Sequence, residues 1–215
     1  MIVSAIKGPA RSSRFIPPLE NGEMLSLAEF LRRYEDMHDV KKAELIQGIT
    51  YLPYRVSAEH AQADGLIHGC LGLYAIEHGL GFYPNATLLL DTENSFQPDA
   101  ILCSKPRKGG RVWLNEKGYL CGAPELVVEV AASTASIDLR DKLRVYRRNG
   151  VDEYIVWRTQ DKAVDLFILE EGEYVPQSVG RDHKLRSVTF PGLVLDVKAL
   201  LAMDGARLVA ALKQA

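Results

Sequence analysis

Cysteine is scarce in this chain: of 215 residues only three are cysteine, Cys70, Cys103 and Cys121. They lack the close spacing of a metal site, and an odd number does not make a disulfide framework. That usage fits a reducing cytoplasm. Long apolar runs are also missing. No stretch approaches the roughly 18 apolar residues that mark a membrane span, so no membrane partner is expected. Residues 1–22 lack the apolar run of a signal peptide and read as a loose leader. Positive charge is not in excess. Lys and Arg number 26 against 28 Asp and Glu, a formal net charge of −2. That argues against a generally basic nucleic-acid binder and leaves room for a local basic patch. There is no internal repeat, no nucleophile elbow, no phosphate-binding glycine loop and no dinucleotide fingerprint.

What is present is an ordinary globular composition, 47% apolar and 25% charged, with length enough for one sizeable core. Ser26-Leu27-Ala28-Glu29 is a capping-box pattern that opens a helix. Residues 43–54 read as a hairpin turning at Gln47-Gly48. Ser57 is placed to cap a long helix that ends near Gly79. Residues 86–91 and 97–103 read as two strands joined by a polar turn. The stretch 104–122 reads as a loop with a basic start, Lys105, Arg107, Lys108 and Arg111. An apolar strand follows at 124–130, then a helix beginning at Ser136 or Asp138 and ending at Asn149-Gly150. Further strands fall at 154–157, 164–169, 174–175 and 194–195, with a helix from about Val197. Helices alternate with strands, yet several strands are joined by hairpins. That predicts an α/β (α+β) domain, a mixed β-sheet flanked by helices. Its expected span is 23–205, with 206–215 as a tail.

Glu129 stands out because it interrupts Leu126-Val127-Val128-Glu129-Val130, a run that otherwise reads as a buried strand. A carboxylate there is costly unless it is paired, hydrogen-bonded or bound to a metal. A second acid, Asp99, opens the apolar run Ala100-Ile101-Leu102. Two strand-borne carboxylates that converge suggest a divalent-metal site. Either one alone is equally read as a sheet-edge side chain facing solvent. Lys142 falls within the apolar arc of its helix, between Leu139 and Val145. It either reaches the carboxylates, where a cation orients a water and stabilises negative charge, or pairs with Asp138 at i,i+4. His60, Asp64 and His68 recur every four residues. That spacing holds a metal in some helices and is a plain polar edge in others.

Taken in order, these pieces form a set: Ala43-Glu44-Leu45-Ile46-Gln47-Gly48, Ser57-Ala58-Glu59-His60, Gln97-Pro98-Asp99, the strand around Glu129 with Ser133-Thr134, Asp141-Lys142, Tyr146 and Gly150-Val151-Asp152-Glu153-Tyr154. The set resembles the bacterial Uma-type "putative restriction endonuclease" family, a branch of the PD-(D/E)XK nuclease superfamily, over about residues 25–200. The resemblance implies a restriction-endonuclease-like core and hydrolysis of phosphodiester bonds, with DNA as the leading substrate. It implies that Asp99 and Glu129 bind Mg²⁺ or Mn²⁺, that Glu44 assists and that Lys142 is the catalytic lysine. The superfamily's usual lysine position, two residues after the acid, is Ala131 here. Ala43 and Gln47 also depart from the branch, which tends to have Tyr and Asp there; Gln47 bears on the turn.

Hard carboxylate oxygens suit Mg²⁺ or Mn²⁺, whereas zinc favours His and Cys. His60 is placed near the cleft by its motif. Lys105, Arg107, Lys108 and Arg111, close in sequence to the site, are candidates for phosphate contacts, or a solvated face. A homodimer fits two-strand cleavage, which is easiest with two sites. The rival is a non-catalytic module of the same fold that binds nucleic acid or protein; a buried Lys142–Glu129 ion pair without metal favours it. A two-carboxylate glycosidase leaves Lys142 without a role.

Overall fold

The structure is a computed structural model that describes residues 16–52, 56–132 and 134–214. Most of the leader expected over 1–22 lies outside those residues, as do Tyr54 and Ser133. Helix α1 (Leu27–Tyr34) starts where the capping box predicts, with Ser26 accepting a hydrogen bond from the Glu29 N–H. Strands β1 (Glu44–Ile46) and β2 (Ile49–Tyr51) form the expected hairpin. Its two turn residues, Gln47 and Gly48, have φ of 51° and 78°. Two successive left-handed residues match the twist of a tight hairpin. Gln47 tolerates the conformation with its N–H bonded to Asn94 Oδ1 at 2.8 Å.

Helix α2 (Ala58–His78) is capped at its start by Ser57, which accepts from the His60 N–H, and stopped by Gly79 at φ 63°. Strands β3 (Gly81–Pro84), β4 (Leu88–Asp91), β5 (Asn94–Phe96) and β6 (Ala100–Cys103) follow. The segment 104–122, expected as loop, carries two short strands, β7 (Trp113–Leu114) and β8 (Leu120–Cys121). Strand β9 (Leu126–Ala131) is buried along its whole length. The next helical run opens with α3 (Ala135–Ile137), widens into a π-helical segment over Asp138–Lys142, and closes with α4 (Leu143–Arg148). Then come β10 (Glu153–Arg158), β11 (Ala163–Glu170), β12 (Glu173–Gln177), β13 (Lys184–Arg186), β14 (Val194–Asp196) and α5 (Val197–Leu201). The last residues, set apart as a tail on sequence alone, form α6 (Gly205–Lys213), which buries Leu208 and Ala211.

The expected mixed sheet is present, in the order β12-β11-β10-β9-β6-β3. Only β9 and β10 are parallel within it. A second six-stranded sheet, β2-β1-β5-β4-β8-β7, was not expected. The residues 86–103 divide between the sheets, because the predicted polar turn is itself a hairpin, β4–β5. Alternation along β9 decides what each face meets. Val128 and Val130 join Ile67, Leu71 and the residues of α5 and α6 in one core cluster. Val127 and Ala131 face the other way, into a cluster with Phe96, Val145 and Tyr146. Glu129 shares the face of Val127 and Ala131 by the period of two. Among the described residues no helix is long and apolar enough to cross a membrane.

Candidate active site

Four elements bring the acids and the lysine together. Asp99 lies just before β6, which runs antiparallel to β9 with Ala100 opposite Val128. That register puts Asp99 beside Glu129. Asp99 Oδ2 accepts the Val130 N–H at 2.7 Å, and Lys42 Nζ approaches Oδ1 at 3.2 Å. The Asp99 carbonyl is held from behind by His68 Nε2 at 2.7 Å and the Asn85 N–H at 3.2 Å. Since a carbonyl only accepts, His68 carries its proton on Nε2. Asp64, whose Oδ1 lies 2.8 Å from the same nitrogen, raises the His68 pKa.

Glu44 projects from β1. Its Oε1 accepts the Gln97 N–H at 2.8 Å, and Gln97 in turn accepts the Ala43 N–H through its side chain at 3.0 Å. The Gln97-Pro98-Asp99 segment is thereby stitched to β1. Lys142 Nζ, from the π-helical segment, lies 2.9 Å from Glu44 Oε2, 2.9 Å from Glu129 Oε1 and 3.4 Å from Asp138 Oδ1. Lys142 thus pairs with Asp138 at i,i+4 and also reaches the strand carboxylates. Wide π turns recur at functional sites, and here one turns both Asp138 and Lys142 inward. Tyr146 Oη donates to Glu129 Oε1 at 3.0 Å.

The electrostatics are tense. Burial pushes Glu129 up to about 8, against the pull of Lys142, with Asp138, Asp99 and Glu44 adding to the rise. Burial likewise raises Asp138. Burial alone would lower Lys142, but the three carboxylates together hold it well above its ordinary value.

These groups line a cavity of about 260 Å³ together with His60, Lys42 and Gln160. At roughly 30 Å³ per water, it has room for a phosphate group and several waters. It opens beyond the carboxyl ends of the parallel strands β9 and β10, where open sheets commonly bind ligands. The predicted residues Glu44, Asp99, Glu129, Lys142 and His60 all reach this cavity. The basic loop does not. Strand β6 carries the chain from Asp99 to the opposite end of the sheet, where Lys108 Nζ contacts the His78 carbonyl at 3.3 Å and Arg111 pairs with Asp152 at 2.6 Å. Lys105 and Arg107 belong to the same loop. Nor do His60, Asp64 and His68 act as one set: His60 faces the cavity, whereas His68 and Asp64 back the Asp99 carbonyl. Lys42 and Tyr146's contact with Glu129 were missed. The one signal for Lys42 is its place two residues before Glu44, on the same side of an extended segment.

Among the described residues no three or more His, Cys, Asp or Glu side chains form a metal-holding group. Mg²⁺, however, is commonly bound by one or two carboxylates, the rest of its shell being water and substrate phosphate. Asp99 and Glu129 meet that lesser demand in donor chemistry, with oxygen donors on one cavity wall. Residues 27–198 match the Uma2 family, described as "Putative restriction endonuclease". The crystal structure of a "putative nuclease belonging to DUF820" from Anabaena variabilis is similar in fold, with a TM-score of 0.66. At 14% identity it covers 83% of this chain and 98% of that one. No curated protein matches the chain.

Proposed function

The chain belongs to the Uma2 family, described as "Putative restriction endonuclease", and on that premise we propose that it is a Mg²⁺- or Mn²⁺-dependent nuclease that hydrolyses phosphodiester bonds in DNA. The observation that carries the reading is the convergence of Glu44, Asp99, Glu129 and Lys142 from four separate elements on one cavity. Asp99 and Glu129 would hold the metal. When bound, such an ion lowers the pKa of a water and neutralises charge on a phosphate. Each residue then has a task. The Val130 N–H fixes one Asp99 oxygen. Tyr146 and Lys142 both bind Glu129 Oε1, which leaves Oε2 as the oxygen for a ligand. Lys142 holds Glu44 and Glu129 close, and its charge favours negative charge developing at the inner wall. Glu44 holds Lys142 in place.

One observation favours a second reading. The Lys142–Glu129 contact is a well-formed buried ion pair at 2.9 Å, which also suits a module of nuclease fold that binds nucleic acid or protein without cutting. Calorimetric titration of Mn²⁺ into wild type, Asp99→Asn and Glu129→Gln separates the two, followed by incubation of each with duplex and single-stranded DNA. The nuclease reading expects binding and Mn²⁺-dependent cleavage by wild type, both lost in either variant. Folded wild type that binds DNA but neither binds Mn²⁺ with DNA present nor cleaves it would leave the module.

A further inference from the structure

Two lysines line the cavity, and they differ in what they have left to offer. Lys142 Nζ faces three carboxylates, and its side chain is 5% exposed. An ammonium has three N–H donors, and this one has an acid for each. The Lys42 side chain is 32% exposed and, among the described residues, makes one ion pair, with Asp99 Oδ1 at 3.2 Å. That is long for a charge-assisted bond, which is usually 2.7–2.9 Å. Lys42 stands in the irregular segment before β1, on a flexible four-carbon stem. The other Asp99 oxygen is already fixed by the Val130 N–H. Oδ1 is therefore the oxygen for which Lys42 and an incoming cation would compete.

We propose, resting on the nuclease reading, that Lys42 is the substrate-phosphate contact of this site, an exchangeable cation that neutralises Asp99 until a divalent ion takes that carboxylate. Like charges then part. The ammonium, still drawn by Glu44, turns outward from the cavity wall, where a phosphate oxygen of the nucleic-acid backbone would accept from it. Neither the position nor the exchange follows from the family motifs, whose implied catalytic set is Glu44, Asp99, Glu129 and Lys142. The proposal divides the labour between the lysines: Lys142 organises carboxylates, and Lys42 meets substrate.

The test uses the full chain with Lys42→Met and Lys42→Arg. Mn²⁺ binding is measured by calorimetry without nucleic acid. Binding of a fluorescent DNA duplex is measured by anisotropy in Ca²⁺ over a series of salt concentrations, and thermal melts check folding. Loss of a weak, part-exposed pair predicts that Lys42→Met tightens Mn²⁺ about two- to fivefold. Loss of one charged phosphate contact predicts DNA affinity about tenfold weaker and a salt slope shallower by about one. Lys42→Arg should retain the wild-type salt slope. Two results overturn the proposal: Lys42→Met with Mn²⁺ affinity and salt slope both unchanged, or with Mn²⁺ affinity reduced, which would make Lys42 a support for Asp99. If wild type binds both Mn²⁺ and DNA, either result leaves the nuclease reading standing. If wild type binds neither, that reading falls and this inference with it.

Discussion

Lys142 is the residue on which the buried charge balance turns. It faces Glu44, Glu129 and Asp138 within 3.4 Å. Lys142→Met would leave those acids uncompensated, and breaking a buried pair from one side costs about 3–5 kcal/mol. Urea denaturation should show that loss most fully above pH 8. The loss should shrink in acid, where Glu129 and Asp138, both raised by burial, take up protons. Wild type without metal should also respond to pH. Glu129 rises from 4.5 unfolded to about 8 folded. Between those values the folded state binds the extra proton, so stability falls as pH increases. Below pH 4.5 both states are protonated and the contribution is intact. Glu129→Gln should flatten the fall, and an equally steep profile in that variant would place its origin elsewhere. Glu129 and Lys142 were legible in sequence because a charge inside an apolar pattern asks for an explanation; Asp99 opens such a run, and Glu44 came from the family resemblance. Lys42 was not. It follows Asp39-Val40-Lys41, a segment that reads as solvated, and its partner Asp99 is 57 positions away.

At the scale of elements, local chemistry was the readable part. Ser26, Ser57, Gln47-Gly48 and Gly79 do what their positions suggested, because caps and turns are made by a few neighbouring residues. Strands of two to four residues such as β3, β5, β7 and β8 exist through long-range pairing and are too short to show a period. The π-helical segment was read as ordinary helix, since one extra residue in a turn leaves little trace in a stripe of apolar positions. The basic loop misled for a geometric reason. Adjacency in sequence to Asp99 means little when β6 spans the sheet in between. Helix α2 supports a separate expectation. Gly65 and Gly69 lie in its interior, and a Cβ at either would meet nothing within 4 Å. Gly65→Ala and Gly69→Ala should each stabilise the protein by about 0.8–1 kcal/mol, read from urea midpoints. A loss of stability in either would show that this helix face needs its backbone bare.

For the whole molecule, the mixed sheet flanked by helices was predictable from the alternation of periods. The second sheet was not, because it gathers hairpins from three stretches of chain and no local pattern announces their pairing. That second sheet shapes the cavity, since β1 carries Glu44 to Lys142 and lines one side of it. Among the described residues that line the cavity, Glu44, Asp99, Glu129 and Asp138 stand beside Lys42, Lys142 and His60. Once Glu129, which burial raises to about 8, gives up its proton, these acids concentrate negative charge in a poorly solvated place, and a divalent cation there would favour that ionised state. If Mg²⁺ or Mn²⁺ binds there, the folded state gains about 2.7 kcal/mol at a hundredfold excess over Kd. In a chain of this size about 1 kcal/mol moves the melting temperature by about 2–4 °C. The expected rise is therefore roughly 5–10 °C over the protein in EDTA. Asp99→Asn should abolish the rise, whatever it does to the melting temperature itself, because it removes the proposed metal ligand and a negative charge together. A melting curve indifferent to both ions in wild type would sink the idea that this cavity is built around a divalent cation.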